Sequence, residues 1–335
     1  MPRSTPPRAA AGLLACLGMI GAPVHAQERP AHETAAERAS RIELWPGGLA
    51  PGDVALADAP RIVERSADPA LPDRAITRVG EPYLVVYRPQ RPDGSALLVT
   101  PGGGYARVVL DKEGSALVPD FVEEAGVTLF VLRYRLPGEG HPDRRDVPLA
   151  DAQRAMRLIR ARAADYGVDP RRVGVMGFSA GGHVAASLAT RFDAQVYPQV
   201  DAADAQSARP DLQILVYPVI DMGPEIAHPG SRDNLLDASP SPSIVHAYSA
   251  QNGVRADAPP AFLLHAQDDE VVPAANSLVY AQALLAEDVS TELHLFPRGG
   301  HGFGVRGTDG LTVAAWPRLA VAWMRWQYAH RRGGD

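Results

Sequence analysis

The sequence predicts an α/β fold, in which a mostly parallel β-sheet carries helices on both of its faces. Three observations lead to this prediction. Short apolar segments rich in β-forming residues recur along the chain, segments of helical periodicity alternate with them, and no unit repeats at a fixed period. The chain has 335 residues, of which 46% are hydrophobic, so it can bury a large core. Composition does not change after residue 60, and we expect one domain over residues 61–330.

The predicted strands are short and apolar, and each has Gly or Pro nearby. The predicted helices repeat apolar residues at helical spacing, as in LADAQRAMRLIRARAADY at 149–166, where arginines occupy the opposite face. Between two predicted strands, residues 219–260 are rich in loops, and we expect them to form a lid or rim over a site. Strands are predicted at 83–87, 96–100, 127–133, 172–176, 212–217, 261–265 and 292–296, and helices at 149–166, 180–191, 274–286 and 313–328.

The first 26 residues have the pattern of a secretory signal peptide. A positively charged start precedes the apolar run 9–20, and small residues at 24 and 26 fit a cleavage site before Gln27. This pattern predicts a secreted or periplasmic protein. The single cysteine, Cys16, lies in this segment, and a lipid anchor at Cys16 is a minor alternative.

Residues 27–60 are rich in Ala, Glu, Arg and Pro, and we interpret them as a tail or linker that leads into the domain. The formal net charge is −6 and no basic patch stands out, so nucleic acid is not an expected partner. No stretch is long and apolar enough to predict a membrane span. The oligomeric state is not readable from the sequence.

A serine between two glycines follows an apolar strand in GVMGFSAGGH, residues 174–183. Gly177, Ser179 and Gly181 form the pattern G-x-S-x-G, and a helix is predicted directly after it. This strand, turn and helix setting is typical of a nucleophilic serine held on a sharp turn. The alternative interpretation is a glycine-rich loop that happens to contain a serine.

A serine nucleophile needs a histidine base and a carboxylate that orients the histidine. His301 lies in a glycine loop, GGHGF, directly after the last predicted strand. Three adjacent acids, Asp268, Asp269 and Glu270, follow the predicted strand 261–265 and compete for the role of the carboxylate. We choose Asp269, with Asp268 as the alternative.

Backbone N–H groups for a developing oxyanion are expected in PGGGY, residues 101–105. We assign Gly103 and Gly104 as donors, together with Ala180, the residue after the candidate nucleophile. The spacing does not fit a dinucleotide-binding loop or a phosphate-binding P-loop, whereas a plain turn remains an alternative. No histidine pair has metal-ligand spacing, so we expect neither a metal nor a cofactor.

Taken in order, PGGGY, GVMGFSAGGH, HAQDDEVVP and GGHGF resemble the α/β-hydrolase fold, and more narrowly its acetylxylan-esterase-like carbohydrate esterases. Shorter matches agree with this subgroup: LWPGGLAPG, YRL and GSRDNLL. The resemblance extends over residues 42–328. It implies Ser179 as nucleophile, Asp269 as acid and His301 as base, and Pro101 argues against the lipase-like branch, which carries His at that position.

The resemblance implies hydrolysis of acetyl esters on a plant polysaccharide such as xylan. A feruloyl esterase or a general short-chain carboxylesterase would use the same three residues. A prolyl-oligopeptidase-like peptidase also carries G-x-S-x-G-G, but usually adds a large N-terminal domain. A non-catalytic binding protein on this fold would usually lack one of the three residues. His183, one helical turn after Ser179, is expected to pack structurally, so His183→Ala should keep most activity.

Overall fold

The computed structural model describes residues 1–2 and 28–330 of the chain. The predicted signal peptide at 1–26 and the alternative lipid anchor at Cys16 therefore lie outside the described residues. Within the described ranges, no helix is long and apolar enough to cross a membrane.

The described chain folds into strands and helices that alternate over most of its length. The strands are β1 (Arg29–Pro30), β2 (Arg41–Glu43), β3 (Arg61–Glu64), β4 (Arg74–Thr77), β5 (Tyr83–Tyr87), β6 (Ala96–Thr100), β7 (Val108–Val109), β8 (Thr128–Arg133), β9 (Val173–Phe178), β10 (Gln213–Val216), β11 (Ala261–Ala266) and β12 (Thr291–Phe296). The α-helices are α1 (Ala35–Ala39), α2 (Val147–Ala161), α3 (Ser179–Thr190), α4 (Pro229–Leu236), α5 (Pro242–Tyr248), α6 (Ala275–Ala286) and α7 (Trp316–Ala329). A π-helical segment spans Val118–Glu124.

The main sheet has eight strands in the order β12-β11-β10-β9-β6-β8-β5-β2. Neighbouring strands are parallel from β12 to β8, and β5 and β2 complete the other edge antiparallel. Helices α2, α3 and α6 contribute to the apolar core on one face, whereas α7 and the π-helical segment contribute to the core on the other. This arrangement confirms the predicted α/β fold with a mostly parallel sheet.

Burial on both faces explains why the central strands could be predicted. Every residue of β6, β8, β9, β10 and β11 is buried, and each strand contains an apolar run of at least three residues that is visible in the sequence. The carboxyl ends of the parallel strands all meet at one edge of the sheet. The loops that follow β6, β9, β11 and β12 are therefore brought together there.

Residues 27–60 are not a plain tail, and the described part of this stretch corrects our interpretation. It contains α1 and β2, and β2 pairs with β5 at the edge of the main sheet. Glu37 of α1 is buried and forms an ion pair of 2.8 Å with Arg74, which also pairs with Asp111 at 2.7 Å. The Trp45 side chain donates a hydrogen bond of 3.0 Å to buried Asp151. These buried contacts join the stretch to the domain.

A second sheet of four short antiparallel strands, in the order β1-β3-β4-β7, was not predicted. Two predicted helices also proved shorter than expected. The one predicted at 149–166 ends at Ala161 and continues as a 3₁₀ turn, and the one predicted at 313–328 begins with another 3₁₀ turn. Within the loop-rich segment 219–260, the chain forms the short helices α4 and α5.

Candidate active site

Ser179 occupies a sharp turn between β9 and α3. Its backbone φ of 52° lies in the left-handed region, which is unusual for a residue other than glycine. The flanking glycines are required by close approach: a Cβ on Gly177 would lie 2.4 Å from the Gly181 carbonyl oxygen, and one on Gly181 would lie 2.1 Å from that of Thr100. The turn therefore presents the serine hydroxyl at the edge of the sheet.

A chain of hydrogen bonds joins Ser179, His301 and Asp269. The His301 Nε2 atom lies 2.9 Å from Ser179 Oγ, and His301 Nδ1 lies 2.7 Å from Asp269 Oδ2. The Asp269 side chain is fully buried, whereas that of His301 is 15% exposed. With Asp269 accepting a hydrogen bond from Nδ1–H, Nε2 of a neutral His301 is free to accept the serine proton.

The Asp269 carboxylate is held by more groups than His301 alone. Its Oδ1 accepts hydrogen bonds of 2.9 Å from the backbone N–H groups of Val271 and Val272, and Oδ2 lies 3.3 Å from His265 Nε2. Burial by itself would raise the pKa of Asp269, but hydrogen bonds from His265 and His301 outweigh it and hold the pKa well below its ordinary value. Asp269 is therefore ionised at neutral pH.

Asp268, the alternative acid, lies in a different position and contacts different atoms. Its Oδ1 accepts hydrogen bonds of 2.9 and 2.8 Å from the N–H groups of Gly299 and Gly300, in the loop that carries His301. Asp268 and Glu270 are both exposed, and among the three acids it is Asp269 that contacts His301.

The glycine loop after β6 packs against the serine turn. A Cβ on Gly102 would lie 2.9 Å from Ser179 Cβ. The Gly102 N–H donates a hydrogen bond of 2.7 Å to Glu113 Oε2, whereas the N–H groups of Gly103 and Gly104 have no acceptor among the described residues. Ala180 is buried at the start of α3. The two free N–H groups suit an anionic oxygen at this position.

A buried hydrogen-bonded link between two loops of the site, formed by Glu113 and Tyr217, was not predicted from the sequence. Tyr217 donates a hydrogen bond of 2.9 Å to Glu113 Oε1 and accepts one of 2.9 Å from the Gly304 N–H. The Tyr217 ring also packs on His301, with ring centroids 4.9 Å apart. Glu113 and Tyr217 therefore connect the glycine loop after β6 to the loop of His301. Burial and the nearby Glu113 charge raise the pKa of Tyr217 well above its ordinary value, so its hydroxyl stays protonated.

His183 is buried, and its ring is hydrogen-bonded to neither Ser179 nor His301. Its Nδ1 lies 2.7 Å from the Tyr105 hydroxyl, and its Nε2 lies 2.7 Å from the carbonyl oxygen of Tyr248. Burial lowers the pKa of His183 to about 4, so the ring is neutral at pH 7. These contacts suit the expected packing role. Over the described ranges, no group of three or more His, Cys, Asp or Glu side chains could hold a metal ion.

Comparison with known proteins identifies the family. The sequence profile of the BD-FAE family matches residues 84–284, which is more than half of the chain. The chain belongs to the BD-FAE family. This BD-FAE protein is similar to a solved structure, an acetyl ester-xyloside bifunctional hydrolase from Caldicellulosiruptor lactoaceticus. The two share 36% sequence identity at a TM-score of 0.68, over 86% of this chain and 96% of the other.

Two curated relatives of the BD-FAE protein carry names from xylan breakdown. An acetylxylan esterase from Xylanibacter ruminicola is 35% identical over 229 residues, which cover 67% of this chain and 44% of that protein. Endo-1,4-beta-xylanase B from Butyrivibrio fibrisolvens is 38% identical over 213 residues, covering 64% of this chain and 33% of that protein. The chain thus spans less than half the length of either relative. The resemblance to acetylxylan-esterase-like α/β-hydrolases is confirmed.

Proposed function

We propose that this protein is a serine esterase that removes acetyl groups from a plant polysaccharide such as xylan. The observation that carries the proposal is the chain of hydrogen bonds from Ser179 through His301 to buried Asp269. Serine, histidine and carboxylate in this order constitute the catalytic triad of acyl transfer. The names of the relatives support acetyl esters and xylan as the substrate class.

In the first half of the reaction, Ser179 Oγ attacks the acetyl carbonyl carbon while His301 Nε2 takes the hydroxyl proton. The carbonyl oxygen becomes an oxyanion, and the N–H groups of Gly103, Gly104 and Ala180 stabilise it. The bond to the sugar oxygen then breaks, and His301 returns the proton to that oxygen. The products are a free sugar hydroxyl and an acetylated Ser179.

In the second half, a water molecule takes the place of the departed alcohol. His301 accepts a proton from this water, whose oxygen attacks the acetyl carbon. The new tetrahedral intermediate uses the same N–H groups, and its collapse releases acetate while His301 returns the proton to Ser179. Asp269 remains ionised throughout and stabilises the imidazolium form of His301.

The test is release of acetate from acetylated xylan, with 4-nitrophenyl acetate and methyl ferulate assayed beside it. We expect the wild-type protein to deacetylate xylan and Ser179→Ala to lose at least about a thousandfold in rate on every ester. Exposed Ser207 gives a matched control, Ser207→Ala, which should retain wild-type activity.

Three other outcomes would contradict the proposal in different ways. Faster turnover of methyl ferulate would indicate a feruloyl esterase. Hydrolysis of 4-nitrophenyl acetate without xylan deacetylation would indicate a general carboxylesterase. Turnover that survives in Ser179→Ala would remove the serine from the mechanism.

A secreted or periplasmic location is part of this proposal, because acetylated polysaccharide is met outside the cytoplasm. The predicted signal peptide supports it. We expect the exported protein to begin near Gln27, which N-terminal sequencing would measure. Recovery of a lipid-modified Cys16 would instead support the anchored alternative.

A further inference from the structure

His228, which precedes α4 in the loop-rich segment 219–260, has one ring nitrogen committed to the helix. The Ser231 backbone N–H donates a hydrogen bond of 3.1 Å to His228 Nδ1, and the Ser231 hydroxyl lies 2.8 Å from the same nitrogen. A backbone N–H can only donate, so Nδ1 must accept. In the neutral ring the proton is therefore on Nε2, which becomes a hydrogen-bond donor.

The ring of His228 lies beside the candidate active site. A Cβ on Gly104 would be 3.8 Å from His228 Cε1, and Asn234 in the same helix donates a hydrogen bond of 2.8 Å to the Gly104 carbonyl. Burial and the nearby charge of His301 lower the pKa of His228, against a smaller raising effect of Asp269. His228 thus lies against the glycine loop, and its ring is neutral at pH 7.

The Nε2–H group of His228 has no acceptor among the described residues, although the side chain is half-buried. A donor at the edge of a site, with its tautomer fixed by the backbone, is ready to receive an oxygen of the substrate. In the proposed reaction, the alcohol part of the ester must lie next to His301 Nε2, because His301 returns the proton to it. Because His228 lies against Gly104, one of the proposed oxyanion donors, a sugar held at this site would lie alongside the His228 ring.

We propose that His228 Nε2–H binds a hydroxyl group next to the acetylated carbon, so that the site selects esters of vicinal diols such as sugars. This inference rests on the proposed function, since it assigns a substrate group to the same site. It makes His228 a specificity-determining residue.

The experiment compares two esters that differ in one hydroxyl group: 2-O-acetyl methyl xyloside and its 3-deoxy analogue. We expect the wild-type protein to prefer the hydroxylated ester roughly tenfold in kcat/KM, the usual effect of one hydrogen bond to a neutral donor. In His228→Ser this preference should fall to about one. Ser is a good N-cap, so this variant keeps the start of α4 while losing the donor.

Two further variants separate recognition from a structural role. His228→Ala removes both the donor and the cap. If His228 served only as a helix cap, His228→Ser would keep the wild-type preference for the hydroxylated ester, and only His228→Ala would lose activity. That result would overturn the inference. Exposed His246 provides the matched control, His246→Ser, which should behave like the wild-type protein.

Failure of the inference differs from failure of the proposed function. If both sugar esters are hydrolysed and their ratio is the same in the wild type and His228→Ser, the inference is wrong while the esterase proposal stands. If the wild type hydrolyses 4-nitrophenyl acetate but neither sugar ester, the proposed substrate class is wrong and the inference falls with it.

Discussion

The adjacent carboxylates of Asp268 and Asp269, in the loop after β11, contact different groups. Asp269 is buried against His301, and Asp268 accepts hydrogen bonds from the backbone of the loop that carries His301. The sequence shows only that both are acidic and follow a strand. Which one faces the histidine depends on the direction of each side chain at the turn, which residue type does not specify.

The first prediction separates these two residues. Asp269→Ala should lower kcat by about 10³- to 10⁴-fold, because His301 loses the group that fixes its tautomer. Asp268→Ala should lower kcat by less than about tenfold, since the loop loses two hydrogen bonds but the proposed triad of Ser179, His301 and Asp269 stays complete. Steady-state kinetics on 4-nitrophenyl acetate measure both. Equal losses in the two variants would contradict the separate roles.

The second prediction concerns His183 and pH. Burial lowers its pKa from 6.5 to about 4, so as pH falls the unfolded chain binds the proton first. The stability contributed by neutral His183 is complete above about pH 6.5 and is lost as pH falls toward 4. Between pH 7 and pH 5, the free energy of unfolding of the wild-type protein should fall by about 2 kcal/mol more than that of His183→Gln, whose side chain does not titrate. Urea unfolding at both pH values measures this, and equal losses would contradict it.

At the scale of elements, burial decided which parts of the fold could be predicted. Strand β9 is apolar along its whole length and β6 up to its last residue, Thr100, so their sequences alone indicate them. The two-residue strands β1 and β7 are too short to leave such a run, and pairing with other segments of the chain defines them. Helix α1 has five residues and depends on its capping box and its buried Glu37.

The candidate active site also combines residues that the sequence identifies with residues that only the fold brings together. Ser179 and His301, the candidate nucleophile and base, lie in glycine motifs that the sequence shows, because a sharp turn and an accessible loop both need small residues. Glu113 and Tyr217 stand in no motif. They are 104 positions apart in the chain, and only the fold brings the carboxylate and the phenol together.

The third prediction tests this link between the two loops. Tyr217→Phe removes the hydroxyl that bonds Glu113 and the Gly304 N–H, so both loops lose a fixed contact. We expect kcat to fall about tenfold with little change in KM, because positioning and not binding is impaired. Glu113→Gln should have a similar effect. The double variant should lose less than the product of the two single losses, because both residues act in one chain. Multiplicative losses would contradict a shared role.

At the scale of the whole molecule, the segment before the main sheet contributes to stability through buried charge. Arg74 binds both Glu37 and Asp111, and all three side chains are buried. Without the Glu37 carboxylate, Arg74 keeps Asp111 as its charged partner but loses the charge-assisted hydrogen bonds of 2.9 and 2.8 Å to Glu37.

The fourth prediction follows from this arrangement. Glu37→Gln should lower the free energy of unfolding by about 2 kcal/mol. Glu43→Gln, at an exposed position in β2, is the matched control and should change stability little. Urea unfolding followed by circular dichroism measures both. If the two variants are equally stable, the stretch before residue 60 is not coupled to the domain through Glu37.

The hydrogen bond from Trp45 to Asp151 determines where the protein can be truncated. The region matched by the family profile, 84–284, begins after Trp45 and ends before His301. A fragment trimmed to those limits would expose the edge that β2 covers, leave Asp151 without its indole partner and lack the candidate base. Recombinant fragments and gene fusions should therefore keep residues 28–330 as one inseparable unit.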